Sequence, residues 1–121
     1  YRVLIPSRGV AHHDEYPEMM APAITDRALV ALNEGSFDFI LVNYANPDIV
    51  AHTGNYDATV KAVKVVDREV ERLLESVLSH GHAMIVTADH GNAEVLIDLK
   101  TGQPETKHNT NPVPFYLVAK P

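Results

Sequence analysis

Apolar and polar positions follow a helical rhythm in two segments of the chain. In residues 22–34 and 56–79, apolar side chains recur every three to four positions, which predicts two amphipathic helices. Pro22 suits the first turn of the shorter helix, and Gly35 follows its end. The apolar stripe of the longer helix consists of Val60, Val63, Val66, Val70, Leu73, Leu74, Val77 and Leu78.

Short apolar runs lie between and after these helices and predict strands. Almost continuous runs cover residues 37–43 and 83–87, and another precedes the chain end at residues 114–119. Weaker strand patterns cover residues 2–5 and 94–99. Because helices alternate with strands, the order predicts an α/β layer with a mostly parallel sheet.

Composition narrows the class of protein. The chain has 121 residues, is 45% hydrophobic and carries a net charge of −6, which fits a single domain with its own core. It contains no cluster of Lys and Arg, which argues against nucleic-acid binding, and no apolar stretch near the roughly 20 residues of a membrane span. The lack of cysteine excludes disulfides and fits a cytoplasmic protein. Because the first residue is Tyr1, we expect an excised piece of a longer chain.

Acidic and imidazole side chains follow the two predicted buried strands. Asp48 and His52 come after the first strand, and Asp89 and His90 come after the second. A further imidazole, His108, stands in a proline-containing loop before the last strand. Ligands in open α/β sheets bind outside the carboxyl ends of the strands, so these side chains mark a candidate site.

The spacing of these residues is compatible with metal binding. Asp48 and His52 are four apart and would share one face of a helical turn, while Asp89 and His90 converge only if the chain turns at Gly91. Mixed imidazole and carboxylate ligands suit Mn, Zn or Fe, and two ions about 3.5–4 Å apart form a clamp for phosphoryl transfer. The alternative is that each pair is a hydrogen-bonded loop pair, and spacing alone leaves the two interpretations equally supported.

Three longer segments carry a family resemblance. Residues 43–54 (NYANPDIVAHTG), 87–94 (TADHGNAE) and 108–115 (HNTNPVPF) resemble the cofactor-independent (2,3-bisphosphoglycerate-independent) phosphoglycerate mutases of the alkaline phosphatase superfamily. The likeness extends over essentially the whole chain. It implies that residues 1–121 are a single partial domain of the alkaline-phosphatase-like, three-layer α/β type, from the metal-binding half of such an enzyme.

The resemblance also implies roles for the candidate residues. Asp48, His52 and His108 would bind one Mn²⁺, and Asp89 and His90 would bind a second, with Zn²⁺ or Co²⁺ as alternatives. The parent protein would be a cytoplasmic isomerase of glycolysis. It would interconvert 3-phosphoglycerate and 2-phosphoglycerate through a phosphoserine intermediate, with no requirement for 2,3-bisphosphoglycerate.

Part of the family's machinery has no counterpart in these residues. The serine nucleophile, another Asp ligand and an Arg-rich second domain belong to other segments of the family chain, so we assign no catalytic residue here and expect the isolated chain to be inactive. The family's active-site lysine is replaced by Gly9. Arg8, one position earlier, is the candidate phosphate-binding residue, although its planar fork would approach a phosphate differently.

Other functions stay open at this point. The parent could be a related phosphatase or a phosphopentomutase, or the chain could be a degenerate metal-binding domain without catalysis. The expected partner of the full-length protein is a phosphoglycerate, with no nucleic acid and no membrane. Unpaired strand edges would favour self-association of the isolated chain.

Overall fold

The computed structural model describes residues 1–7 and 9–121, so the candidate phosphate-binding residue Arg8 lies outside the described residues. The elements are a 3-10 turn at His13–Glu15, helices α1 (Ala21–Glu34), α2 (Asn46–Ala51) and α3 (Tyr56–Ser79), and strands β1 (Met84–Thr87) and β2 (Phe115–Val118). The two predicted long helices are confirmed to within one residue. In the described part of the chain, no helix is both long and apolar enough to cross a membrane.

The ends of the long helices follow local chemistry. Helix α1 has proline in its first turn and ends at Gly35, whose left-handed φ of 62° lets its N–H donate to the Leu32 carbonyl. Helix α3 begins after Asn55, whose Oδ1 accepts a hydrogen bond from the Ala58 N–H at 3.1 Å. The proline and glycine explain why the sequence pattern located α1 closely, whereas α3 was located by its apolar stripe.

Helix α3 packs against both α1 and α2. Its small residues Ala58 and Ala62 are buried with Val50 of α2, and Met19 packs against this cluster. Small side chains allow the helix axes to approach closely, so the short helix α2 has a fixed position on the long helix. The first candidate acid, Asp48, lies on that short helix.

An ion-pair network that contains one buried carboxylate joins α1 to α3. Glu69 of α3 is almost completely buried and accepts a hydrogen bond from Arg72 Nη1 at 2.5 Å. The other end of the same guanidinium donates to Asp26 Oδ1 of α1 at 2.6 Å. Each charge therefore has an opposite partner, as a buried carboxylate requires.

The sheet is smaller than the sequence pattern predicts. Among the described residues the only sheet is the antiparallel pair β1–β2, with Met84 opposite Val118 and Thr87 opposite Phe115. The predicted strand at 37–43 has no regular secondary structure, and Phe39 and Leu41 are 80% and 83% exposed. The mostly parallel sheet is therefore not confirmed. A strand is defined by its ladder, and no described segment pairs with these residues.

The segment after β1 forms an irregular hairpin instead of the predicted strand at 94–99. The Glu105 N–H donates to the Leu96 carbonyl at 3.0 Å, and the Asp98 N–H donates to the Gln103 carbonyl at 2.9 Å. A single bridge joins Ile97 to Pro104. This hairpin returns the chain toward α2 and brings the loop that contains His108 with it.

Candidate metal centre

The first two candidate ligands lie at the end of α2. Asp48 is within the helix and His52 is the residue that follows its last turn. The Asp48 Oδ1 and His52 Nε2 atoms are 3.3 Å apart. The four-residue spacing has therefore brought the two side chains together, as a helical turn dictates.

The third candidate ligand reaches the same place from a distant loop. His108 Nε2 lies 3.0 Å from Asp48 Oδ1 and 3.0 Å from His52 Nε2. The loop is held there by a backbone bridge, in which the Asn109 N–H donates to the Gly91 carbonyl at 2.9 Å. Three potential ligand atoms from two segments thus converge on one point.

The ring of His52 is fixed in one tautomer by the backbone. Its Nδ1 lies 2.6 Å from the Thr106 carbonyl oxygen, and a carbonyl can only accept, so Nδ1 carries the proton. The Nε2 lone pair of neutral His52 is therefore free to face Asp48 and His108. Metal-binding imidazoles commonly donate their other ring N–H to a backbone carbonyl in this way, which fixes the orientation of the ring.

The distances between the three atoms fit a shared ion. Two ligand atoms that each lie about 2.1 Å from one ion are about 3.0 Å apart at a right angle and about 3.4 Å apart at the tetrahedral angle. The observed separations are 3.0, 3.0 and 3.3 Å. One carboxylate and two imidazoles also form a donor set suited to Mn, Co, Zn or Fe.

The Asp48 carboxylate is held in its charged form. Partial burial by itself would raise its pKa, but the hydrogen bond from Asn92 Nδ2 at 2.7 Å and the nearby imidazoles outweigh that effect. The pKa of Asp48 consequently lies below its ordinary value. An ionised carboxylate is the form that a cation needs.

The second predicted pair is arranged differently. His90 stacks on His108 with ring centroids 3.7 Å apart, so it borders the first cluster. Asp89 lies 3.6 Å from His90, and its side chain is 89% exposed. Within residues 1–7 and 9–121, the only group of three or more potential ligands in mutual reach is Asp48, His52 and His108. Asp89 and His90 are therefore adjacent but not joined by a third described ligand.

Two residues that sequence reasoning did not single out contribute to the site. Asn92, which sequence alone presents as a turn residue, is 3% exposed and donates to Asp48. Thr106 supplies the carbonyl that orients His52. Asn92 stands among the polar residues of TADHGNAE, and nothing in that stretch distinguishes a buried amide from a turn residue. Nothing in the sequence marks a backbone carbonyl.

The family is established by comparison with known proteins. A sequence profile of the metalloenzyme superfamily matches residues 1–121, and the chain belongs to that superfamily. A convergent carboxylate–imidazole cluster is in keeping with this membership.

More specific similarities lie within the phosphoglycerate mutases. The chain is 48% identical over 117 residues to the 2,3-bisphosphoglycerate-independent phosphoglycerate mutase of Francisella tularensis subsp. novicida and 50% identical over 119 residues to that of Clostridioides difficile. These matches cover 97% and 98% of the chain but 23% of each relative. A crystal structure of Leishmania mexicana phosphoglycerate mutase at low cobalt concentration matches with a TM-score of 0.85 and 36% identity, over 94% of the chain and 23% of that protein.

Proposed function

We propose that this chain is the metal-binding part of a 2,3-bisphosphoglycerate-independent phosphoglycerate mutase, an isomerase that interconverts 3-phosphoglycerate and 2-phosphoglycerate. The observation that carries the proposal is the convergence of Asp48 Oδ1, His52 Nε2 and His108 Nε2 within 3.3 Å of one another. The similarity to named mutases at 48–50% identity supports the same reaction.

The three convergent residues hold one divalent ion in this proposal, and Asp89 and His90 contribute to a second. Mn²⁺ is the proposed metal, with Co²⁺ or Zn²⁺ able to use the same donors. When bound, such ions neutralise the charge of a transferring phosphoryl group. The residues of this chain supply the charge and the orientation: Asp48 stays ionised, and the Thr106 carbonyl keeps the Nε2 lone pair of His52 aimed inward.

The remaining machinery is proposed to come from elsewhere in a longer protein. The chain spans about a quarter of the length of the curated relatives it matches. A serine nucleophile, which becomes phosphoserine during the reaction, a further Asp ligand and an Arg-rich substrate domain would lie outside these residues. We therefore propose that the chain alone has no mutase activity, and that Arg8 contacts substrate phosphate in place of the lysine lost at Gly9.

The same proposal extends to the surroundings of the chain. In the longer protein, residues 2–5 and 37–43 would pair with further strands to form a mostly parallel, alkaline-phosphatase-like sheet. The structural match at a TM-score of 0.85 supports this arrangement. The isolated chain would self-associate through these unpaired apolar segments, where Leu4 and Phe39 are 79% and 80% exposed. A glycolytic mutase of this kind would act in the cytoplasm.

The experiment is a turnover assay of the full natural chain that contains these residues. We expect conversion of 3-phosphoglycerate to 2-phosphoglycerate with Mn²⁺, without added 2,3-bisphosphoglycerate, and loss of activity after chelation. Asp48→Asn should abolish turnover, whereas Glu75→Gln, an exposed change on α3, should not. Turnover of a pentose phosphate in place of phosphoglycerate, or full activity of the Asp48 variant, would overturn the proposal.

A further inference from the structure

One side chain joins the loop that follows β1, which contains His90, to the loop that contains His108. Glu94 Oε2 accepts a hydrogen bond from the Asn92 N–H at 2.8 Å, within the loop that follows β1. Glu94 Oε1 accepts from Asn111 Nδ2 at 3.0 Å, in the loop that contains His108. The carboxylate therefore has one oxygen on each loop.

The contact between these loops leaves no room for a side chain at Gly91. A Cβ at this position would collide with Glu94 Oε1 and with Asn109 Oδ1. The Asn109 N–H also donates to the Gly91 carbonyl at 2.9 Å. The backbones therefore meet directly at this point, and the Glu94 carboxylate packs against their contact and supplements it with its own hydrogen bonds.

Asn92 extends the contact to the metal ligands themselves. Its N–H binds Glu94, and its side chain donates through Nδ2 to Asp48 Oδ1 at 2.7 Å. That oxygen is the one that lies 3.0 Å from His108 Nε2. With Asn92 holding one lone pair of Oδ1, the other lone pair is directed toward the imidazoles.

We propose that Glu94 and Asn92 are positioning residues that set the metal affinity of the Asp48–His52–His108 cluster, because they fix the His108 loop to the loop after β1 and fix that loop to Asp48 on α2. Neither residue is a ligand. The inference deepens the proposed function and rests on its metal centre. Loss of a side chain that hydrogen-bonds a ligand or holds it in place typically changes metal affinity by roughly 10–100-fold.

A charge swap separates positioning from general damage to the fold. Gln has a single acceptor oxygen, so in Glu94→Gln the side chain can accept from the Asn92 N–H or from Asn111 Nδ2 but not from both, and its NH2 group then faces the other donor, which weakens the link between the loops. In the double variant Glu94→Gln/Asn111→Asp, the amide donates to the new carboxylate and the link is restored with its polarity reversed. Glu71→Gln, exposed on α3, is the matched control.

The experiment is a calorimetric Mn²⁺ titration of the full natural chain for the four proteins, with urea unfolding measured alongside. We expect Mn²⁺ to bind Glu94→Gln about 10–100-fold more weakly than the unchanged protein, with Glu71→Gln unchanged and at least half of the logarithmic loss recovered in the double variant. An affinity of Glu94→Gln within threefold of the unchanged protein, or no recovery in the double variant, would overturn the positioning role. Absence of Mn²⁺ binding by the unchanged protein would instead overturn the metal centre, and the positioning role with it.

Discussion

The protein contains two polar clusters that look alike in composition but differ in how their charges are partnered. In the cluster around Glu69, the buried carboxylate faces the Arg72 guanidinium, which in turn faces Asp26. Donors and acceptors alternate, so the network is complete. In the cluster around Asp48, three atoms that can each offer a lone pair point at one another.

The difference separates a structural network from a ligand site. A complete network stabilises the contact between α1 and α3 and needs nothing further. These three atoms satisfy one another only when a proton or a cation lies among them, because His52 Nε2 and Asp48 Oδ1 are acceptors and His108 Nε2 accepts or donates according to its tautomer. The presence of acids beside basic side chains therefore does not by itself distinguish a structural network from a ligand site. The direction in which the lone pairs point does distinguish them.

Breaking the complete network should give the largest effect on stability. Among the described residues, Arg72→Met leaves the buried Glu69 carboxylate with Arg68, at 3.3 Å, as its remaining cationic partner. We expect a loss of about 3 kcal/mol in the free energy of unfolding, measured by urea denaturation of the full natural chain. Lys61→Met, on an exposed position of α3, is the control. A loss no larger than that of the control would show that the network contributes nothing.

Breaking the convergent cluster should act on metal binding instead. We expect His108→Ala to weaken Mn²⁺ binding by at least about 100-fold, or about 2.8 kcal/mol, because a direct ligand matters more than an outer-shell partner. Calorimetric titration measures this effect. His80→Ala, at the exposed end of α3, should bind Mn²⁺ normally. Equal affinities for the two variants would contradict the role of His108.

A substitution at Gly91, where the loop after β1 meets the His108 loop, should show how tightly these two loops are packed. Gly91→Ala places a Cβ against Glu94 and Asn109, and we expect it to cost about 2 kcal/mol of stability through overpacking. Gly9→Ala is the matched control, because a Cβ there meets open space and its φ is not left-handed. Urea denaturation that finds the two variants equally stable would show that the loops separate easily.

The smallest expected effect is a pH dependence of the complete network. Burial by itself would raise the pKa of Glu69, but hydrogen bonds from Thr25 and Arg72 outweigh burial and hold it below its ordinary value. Because the folded pKa is depressed, the stabilisation is complete above the unfolded pKa of about 4.3 and is lost as pH falls through the folded value.

The direction of this pKa shift can be tested by measuring the free energy of unfolding of the unchanged protein and of Glu69→Gln at several pH values. The unchanged protein should be more stable than the variant near pH 7, and the difference should narrow as pH falls below about 4.3. A difference that widens with acid would mean that the pKa of Glu69 is raised in the folded protein.

The fold was predictable where a signal lies within one element. The stripe from Val60 to Leu78 and the cap at Asn55 define α3 without reference to the rest of the chain. The predicted strand at 37–43 failed because apolar, strand-forming residues do not specify a partner. Residues 83–87 carried a similar pattern and did form a strand, since β2 lies beside them.

The site divides in the same way. Sequence by itself determined that Asp48 and His52 share one face, because four residues make about one turn of helix. Only the tertiary structure decided that His108 joins them, that Asp89 points into solvent, and that Asn92 holds the shared oxygen. The physical reason is the distance along the chain over which each interaction acts. Helix geometry acts between neighbours in the chain, whereas loop contacts such as Glu94 with Asn111 depend on how the packed elements bring distant residues within hydrogen-bonding distance.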